Sequence, residues 1–136
     1  MNRHIDSAEK AGRLVDLFAG VEDAPDLDTE SLLRRCMNRP PLARQLLTLF
    51  EDQLPSILDN LYAALRAGDH RAVHQEAHLL RGSAANLSAE RLRGIAVVLE
   101  RRAADRALTP AEAEPIIAAI EAARAAFTAA ARAWRA

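Results

Sequence analysis

The run His74-Gln75-Glu76-Ala77-His78-Leu79-Leu80-Arg81-Gly82-Ser83-Ala84-Ala85-Asn86-Leu87-Ser88-Ala89 decides how the rest of the chain is read. Val73, Ala77, Leu80, Ala84 and Leu87 recur at spacings of four and three, which makes one buried stripe of an α-helix. His78, Arg81, Gly82 and Ala85 fall together on a second face, turned to water or a partner. A glycine inside a helix costs about 1 kcal/mol relative to alanine, so Gly82 implies that something must come close there. Ser83, Ala84 and Ala85 extend the low ground. A nucleophilic imidazole over a small-residue surface, with a guanidinium one turn on, suits accepting a phosphoryl group from another protein's active site. It suits a small metabolite less well.

Upstream, Leu42, Leu46, Leu49, Phe50, Leu54, Ile57, Leu58, Leu61 and Leu65 predict one long helix from Pro41 to Ala67, bent but not ended by Pro55. Gly68 supplies its left-handed end and Asp69 caps the next helix, so the two are expected to be antiparallel neighbours. Before them, Asp28 or Thr29 starts a short helix through Leu32, Leu33 and Cys36, halted by Asn38 and the Pro40-Pro41 pair. Asp6 and Glu9 resemble a capping box, and Ala8, Ala11, Leu14, Val15 and Phe18 form a stripe, so a further helix is expected from about Ser7 to Ala19, ended by Gly20. It reads as an accessory packed on the bundle, or as an extension that contacts a partner. Val21 to Asp28 is acidic, contains Pro25 and reads as a linker, which divides the chain into an extension at 1–26 and a bundle domain at 27–136.

Downstream, Ser88 is placed to N-cap a helix over Ala89 to about Arg106, with Leu92, Ile95, Ala96, Leu99 and Ala103 as its core stripe and Glu100 at the stripe's edge. Thr109-Pro110-Ala111-Glu112 combines an N-cap, a proline at the first helical position and a capping box. Ile116, Ile117, Ile120, Ala123, Phe127, Ala130, Ala131 and Trp134 line a last helix to about Arg135, whose first turn Pro115 disturbs. The expectation is all-α: an antiparallel four-helix bundle with one or two additional short N-terminal helices.

The 136 residues are half hydrophobic but only 4% aromatic, the surplus being alanine and leucine, which favours close-packed helices. The 18 Lys and Arg against 19 Asp and Glu create no global field toward nucleic acid or an anionic membrane. Cys36 stands alone and reads as a buried small hydrophobe. No signal peptide and no stretch of about 18 apolar residues is present, so a cytoplasmic protein without direct membrane contact is expected. His70, His74 and His78 at spacings of four would allow a divalent metal, but Glu76 is out of line and no second ligand cluster appears. The reading is a solvated face, with no metal. The five glycines are too scattered to cradle a nucleotide.

The run His78-Leu79-Leu80-Arg81-Gly82-Ser83-Ala84 resembles the phosphoacceptor motif of histidine phosphotransfer (HPt) domains of bacterial phosphorelays, with Arg81 where lysine is commoner and Ser88 where glycine is common. Leu99-Glu100 sits where that family carries a Leu-Glu or Leu-Gln pair, and the resemblance extends roughly from Leu27 to the C-terminus. It implies a monomeric phosphorelay intermediate whose partners are receiver domains of response regulators or of a hybrid sensor kinase. His78 would be the phosphoacceptor, Arg81 would neutralise the phosphoryl charge, and Leu79, Gly82, Ser83 and Ala85 would meet the partner. Glu100 would orient the imidazole from the following helix; a plain surface charge paired with Arg81 or Arg101 is the alternative. No kinase, nucleotide site or cofactor is implied, Mg²⁺ being carried by the receiver. Two other functions are open. A sensor-kinase dimerisation hairpin usually reads His-Glu-x-Arg/Lys-Thr/Asn-Pro, which Leu79 and Gly82-Ser83 do not match. A scaffolding bundle would leave the histidine inert.

Overall fold

A computed structural model describes residues 17–136. Most of the helix expected from Ser7 to Ala19 lies outside the described residues. The elements are α1 (Thr29–Arg35), α2 (Pro40–Ala67), α3 (His70–Asn86), α4 (Glu90–Ala104), a 3-10 turn (Pro110–Glu112) and α5 (Ala113–Arg135), with no strand among the described residues. Helices α2 to α5 form an antiparallel bundle in which α3 packs most extensively on α4, and α2 closes the ring against α5. None of the described helices is long and apolar enough to cross a membrane.

The helix boundaries follow local chemistry. Asp28 Oδ1 accepts from Ser31 N at 3.1 Å and starts α1. Met37 and Asn38, at φ 54° and 56°, then turn the chain into Pro40 at the first turn of α2. Gly68 ends α2 at φ 65°, and a Cβ there would sit 2.8 Å from Pro110 Cγ, so the position excludes side chains on both backbone and steric grounds. Asp69 Oδ1 caps α3 through Ala72 N at 3.1 Å. At the start of the last helix, Thr109 N and Oγ1 both donate to Glu112 Oε1, at 3.0 and 2.9 Å, and the chain completes a 3-10 turn before α5 begins. The helix expected from Pro110 therefore begins as α-helix only at Ala113.

The stripes expected for α3 and α4 are buried as read: Val73, Ala77, Leu80 and Ala84 on one, Leu92, Ile95, Ala96, Leu99 and Ala103 on the other. In α2 the expected stripe is off by one row in the first half. Ala43, Leu47 and Phe50 are buried, Leu42 and Leu46 are partly buried, and Leu49 is 54% exposed. Phe50 meets Phe127 of α5 edge to face, with ring centroids 5.2 Å apart. Cys36 is a fully buried free thiol.

Ser88 is not the N-cap of α4. It adopts φ 56°, and Ala89 occupies the cap position without a side-chain bond. Ser88 is fully buried, its Oγ donates to Ser31 Oγ at 2.9 Å, and its carbonyl accepts from Asp28 N at 2.9 Å. The residue thus fills a left-handed turn position natural to glycine and uses its hydroxyl to fasten the α3–α4 turn to α1. The segment read as a linker is also tied down. Arg91 of α4 pairs with Asp26 at 3.1 Å, donates to Glu22 O at 3.1 Å, and its own backbone N bonds Pro25 O.

Candidate functional site

The middle of α3 presents His78 to solvent because the helix's apolar row, with Ala77 and Leu80, lies more than a third of a turn away. The imidazole is 61% exposed. Its partner comes from α4, whose core residue Leu99 turns the next side chain, Glu100, along the α3–α4 seam. The Glu100 side chain is only 13% exposed. Its Oε1 lies 2.9 Å from His78 Nδ1 and 3.8 Å from His74 Nε2.

Arg81 completes the cluster from one turn along α3. Its Nη1 is 3.0 Å from Glu100 Oε2, a charge pair without hydrogen-bond alignment, and its Nη2 is 3.1 Å from His78 Nδ1. Two groups therefore contend for one ring nitrogen. The carboxylate only accepts and the guanidinium only donates, so Nδ1 satisfies one of them. A proton on Nδ1 gives a charge-assisted bond to Glu100; a proton on Nε2 would set the Nδ1 lone pair against a carboxylate oxygen at 2.9 Å. The first arrangement is favoured, and it leaves Nε2 as the unprotonated nitrogen of a ring that is 61% exposed.

The other expected residues surround the ring as follows. Leu79 is 53% exposed beside it, Gly82 is exposed, and Ser83 and Ala85 are half-buried. A Cβ built on Gly82 meets nothing within 4 Å. No packing among the described residues requires a glycine there, and the position is exposed. One neighbouring surface was missed from sequence. Leu46, Leu49 and Gln53 of α2, with Arg35, line a shallow groove of about 480 Å³ against Ser83 and Asn86. Its signal was the surplus of leucines on α2, more than one stripe can bury.

His70, His74 and His78 do share a side of α3, and the carboxylate that approaches the last two is Glu100 rather than Glu76. Among the described residues, no group of three or more His, Cys, Asp or Glu side chains is arranged to hold a metal ion. Chemically, the site offers one oriented ring nitrogen, a carboxylate behind the ring and a guanidinium beside it.

Neither the comparison with curated proteins nor that with solved structures returned a match. The sequence model of the Hpt domain family matches residues 45–126, more than half of the chain, and spans α3 and α4 whole. The chain therefore belongs to the Hpt domain family, the histidine phosphotransfer modules of phosphorelay signalling.

Proposed function

We propose that His78 is the phosphoacceptor of a relay, taking a phosphoryl group from an aspartyl phosphate on a receiver domain and passing it to another response regulator. The Nε2 lone pair attacks phosphorus, the acyl-phosphate P–O bond breaks, and its electron pair leaves with the receiver's carboxylate. Nδ1 keeps its proton throughout, and the positive charge that grows on the ring is met by Glu100. Arg81, 40% exposed and one turn along the helix, adds positive charge toward the transferred oxygens. Positioning and charge neutralisation are what phosphoryl transfer requires, and Mg²⁺ belongs to the receiver's side of the complex.

The observation that carries this reading is the setting of the imidazole: Nδ1 lies 2.9 Å from a mostly buried carboxylate, while the ring itself is 61% exposed. A scaffolding bundle gives neither feature a task. The test is to charge a panel of purified receiver domains with a small-molecule phosphodonor, add the full chain, and follow acid-labile phosphate on it. Transfer from at least one receiver to the wild type and none to His78→Gln is expected. Label retained by His78→Gln, or no transfer from any receiver, would sink the proposal.

A further inference from the structure

At the end of the α3–α4 seam remote from the α3–α4 turn, an open cleft of about 380 Å³ lies between the first turns of α3 and the last turn of α4. His70, Arg71 and His74 line it from α3 and Arg106 from just beyond α4, with Ala103 and Ala104 as a low floor. Among the described residues no carboxylate lines it. Its volume falls at the small end of the about 300–1,000 Å³ usual for small-molecule sites. We infer that this cleft binds a phosphate group, free or as the monoester of a small molecule, through Arg71 and Arg106.

The charge of the cleft is unmatched. Arg66, Arg81, Arg91, Arg93 and Arg135 each pair with a carboxylate, whereas Arg71 and Arg106 have no such partner among the described residues. The carboxylates closest along the chain are placed otherwise. Asp69 Oδ1 accepts from Ala72 N at 3.1 Å, and Asp105 is the C-cap residue of α4, outside the lining. Glu100, 3.8 Å from His74 Nε2, faces Arg81 with its other oxygen. His70 Nδ1 is buried without a hydrogen-bond partner among the described residues, so polar capacity is left over on this wall too. Cations gathered without a counter-charge repel one another, and an anion set between them turns that repulsion into attraction.

Arg106 also holds an unusual backbone. It stands at φ 55° where α4 ends, its N bonded to Ala103 O and the next N to Arg102 O. Glycine is the natural occupant of such a left-handed position, and a side chain there costs about 1 kcal/mol. The strain is accepted at the residue that brings the second guanidinium to the cleft. Two guanidiniums from different elements favour phosphate over a carboxylate. Each planar fork takes up two oxygens; a carboxylate has only two to give, whereas a tetrahedral phosphate dianion serves both forks.

The experiment uses the full chain and needs no receiver, so it stands apart from the role of His78. At about pH 8, where a phosphate monoester is a dianion, inorganic phosphate and glycerol phosphate are titrated separately, each against sodium chloride of matched ionic strength. The ring signals of His70 and His74 and the Nε–H signals of Arg71 and Arg106 should shift and saturate with phosphate and not with chloride. Tighter binding of glycerol phosphate identifies an ester as the ligand and equal binding the free ion; either sustains the site. Arg71→Gln and Arg106→Gly should each weaken binding about tenfold. Arg106→Gly suits its backbone and should do so without lowering the urea midpoint. Arg132→Gln, which removes the same charge from an exposed position on α5, should bind as the wild type does. Shifts that chloride reproduces, that do not saturate, that survive both cleft variants, or that weaken equally in Arg132→Gln overturn the inference.

Discussion

Glu100 and Arg81 reach the same nitrogen of His78, at 2.9 and 3.1 Å, and only one of them sets its proton. With the proton on Nδ1, nitrogen-15 NMR of the wild-type ring should show one dominant tautomer, and Glu100→Ala should turn it into a mixture. Transfer to Glu100→Ala should fall about tenfold, equivalent to about 1.4 kcal/mol of barrier, while Glu100→Gln keeps an acceptor and most of the rate. A mixture already present in the wild type, unchanged by Glu100→Ala, would remove Glu100 from the site. Arg81→Lys should be tolerated and Arg81→Ala slowed, since the guanidinium both balances Glu100 and adds charge near the phosphoryl oxygens. The grouping of His78, Arg81 and Gly82 on one exposed face was legible in the sequence because they lie on one helix and share its period. The approach of Glu100 was not, because it depends on how α3 and α4 slide against each other; only the family resemblance pointed to it. The second histidine at that carboxylate, His74, was unreadable for the same reason.

The four long helices were readable from caps and stripes because Gly68-Asp69 and Thr109-Pro110 each have few structural uses. Misreadings arose where a residue had two. Leu46, Leu47, Leu49 and Phe50 give α2 adjacent apolar rows, and periodicity cannot decide which row a neighbour covers. Ser88 has the chemistry of a cap but occupies a left-handed turn. Ser88→Ala keeps the unfavourable φ and loses the bond to Ser31, so it should destabilise by about 1 kcal/mol. Ser88→Gly loses the same bond but relieves about 1 kcal/mol of backbone strain, and should be near neutral. Urea unfolding midpoints compare them; equal losses would mean that the left-handed backbone is not strained. Tyr62, the single tyrosine, ties α2 to α5 by donating to Glu121 at 2.8 Å. Burial first, then that hydrogen bond, raises its phenol above the ordinary value. The folded chain holds this proton where the unfolded chain loses it, so the contribution is whole below about pH 10 and declines as pH rises past it. Tyr62→Phe should unfold more easily at neutral pH by about 1 kcal/mol and show less alkaline loss. An alkaline stability slope the same as wild type would dissociate Tyr62 from it.

At the scale of the molecule, the proposed docking face and the core are separable, because among the described residues nothing packs within 4 Å of where a Gly82 side chain would begin. Gly82→Gln should leave the helical circular dichroism signal intact or slightly stronger and block transfer by standing between the receiver and Nε2. Unchanged transfer would mean that the partner approaches elsewhere. The exposure of His78 also bears on how long a signal lasts. A ring 61% open to solvent, with no described element closing over it, gives a phosphoryl group no shelter from water. The loaded protein should therefore keep its message about as long as a phosphohistidine in a short peptide does, which decay of the label in the folded chain and in such a peptide would compare directly. A much longer lifetime in the folded chain would reveal a shield. Without one, the molecule has no memory of its own, and the persistence of the output is decided by how soon the next receiver arrives.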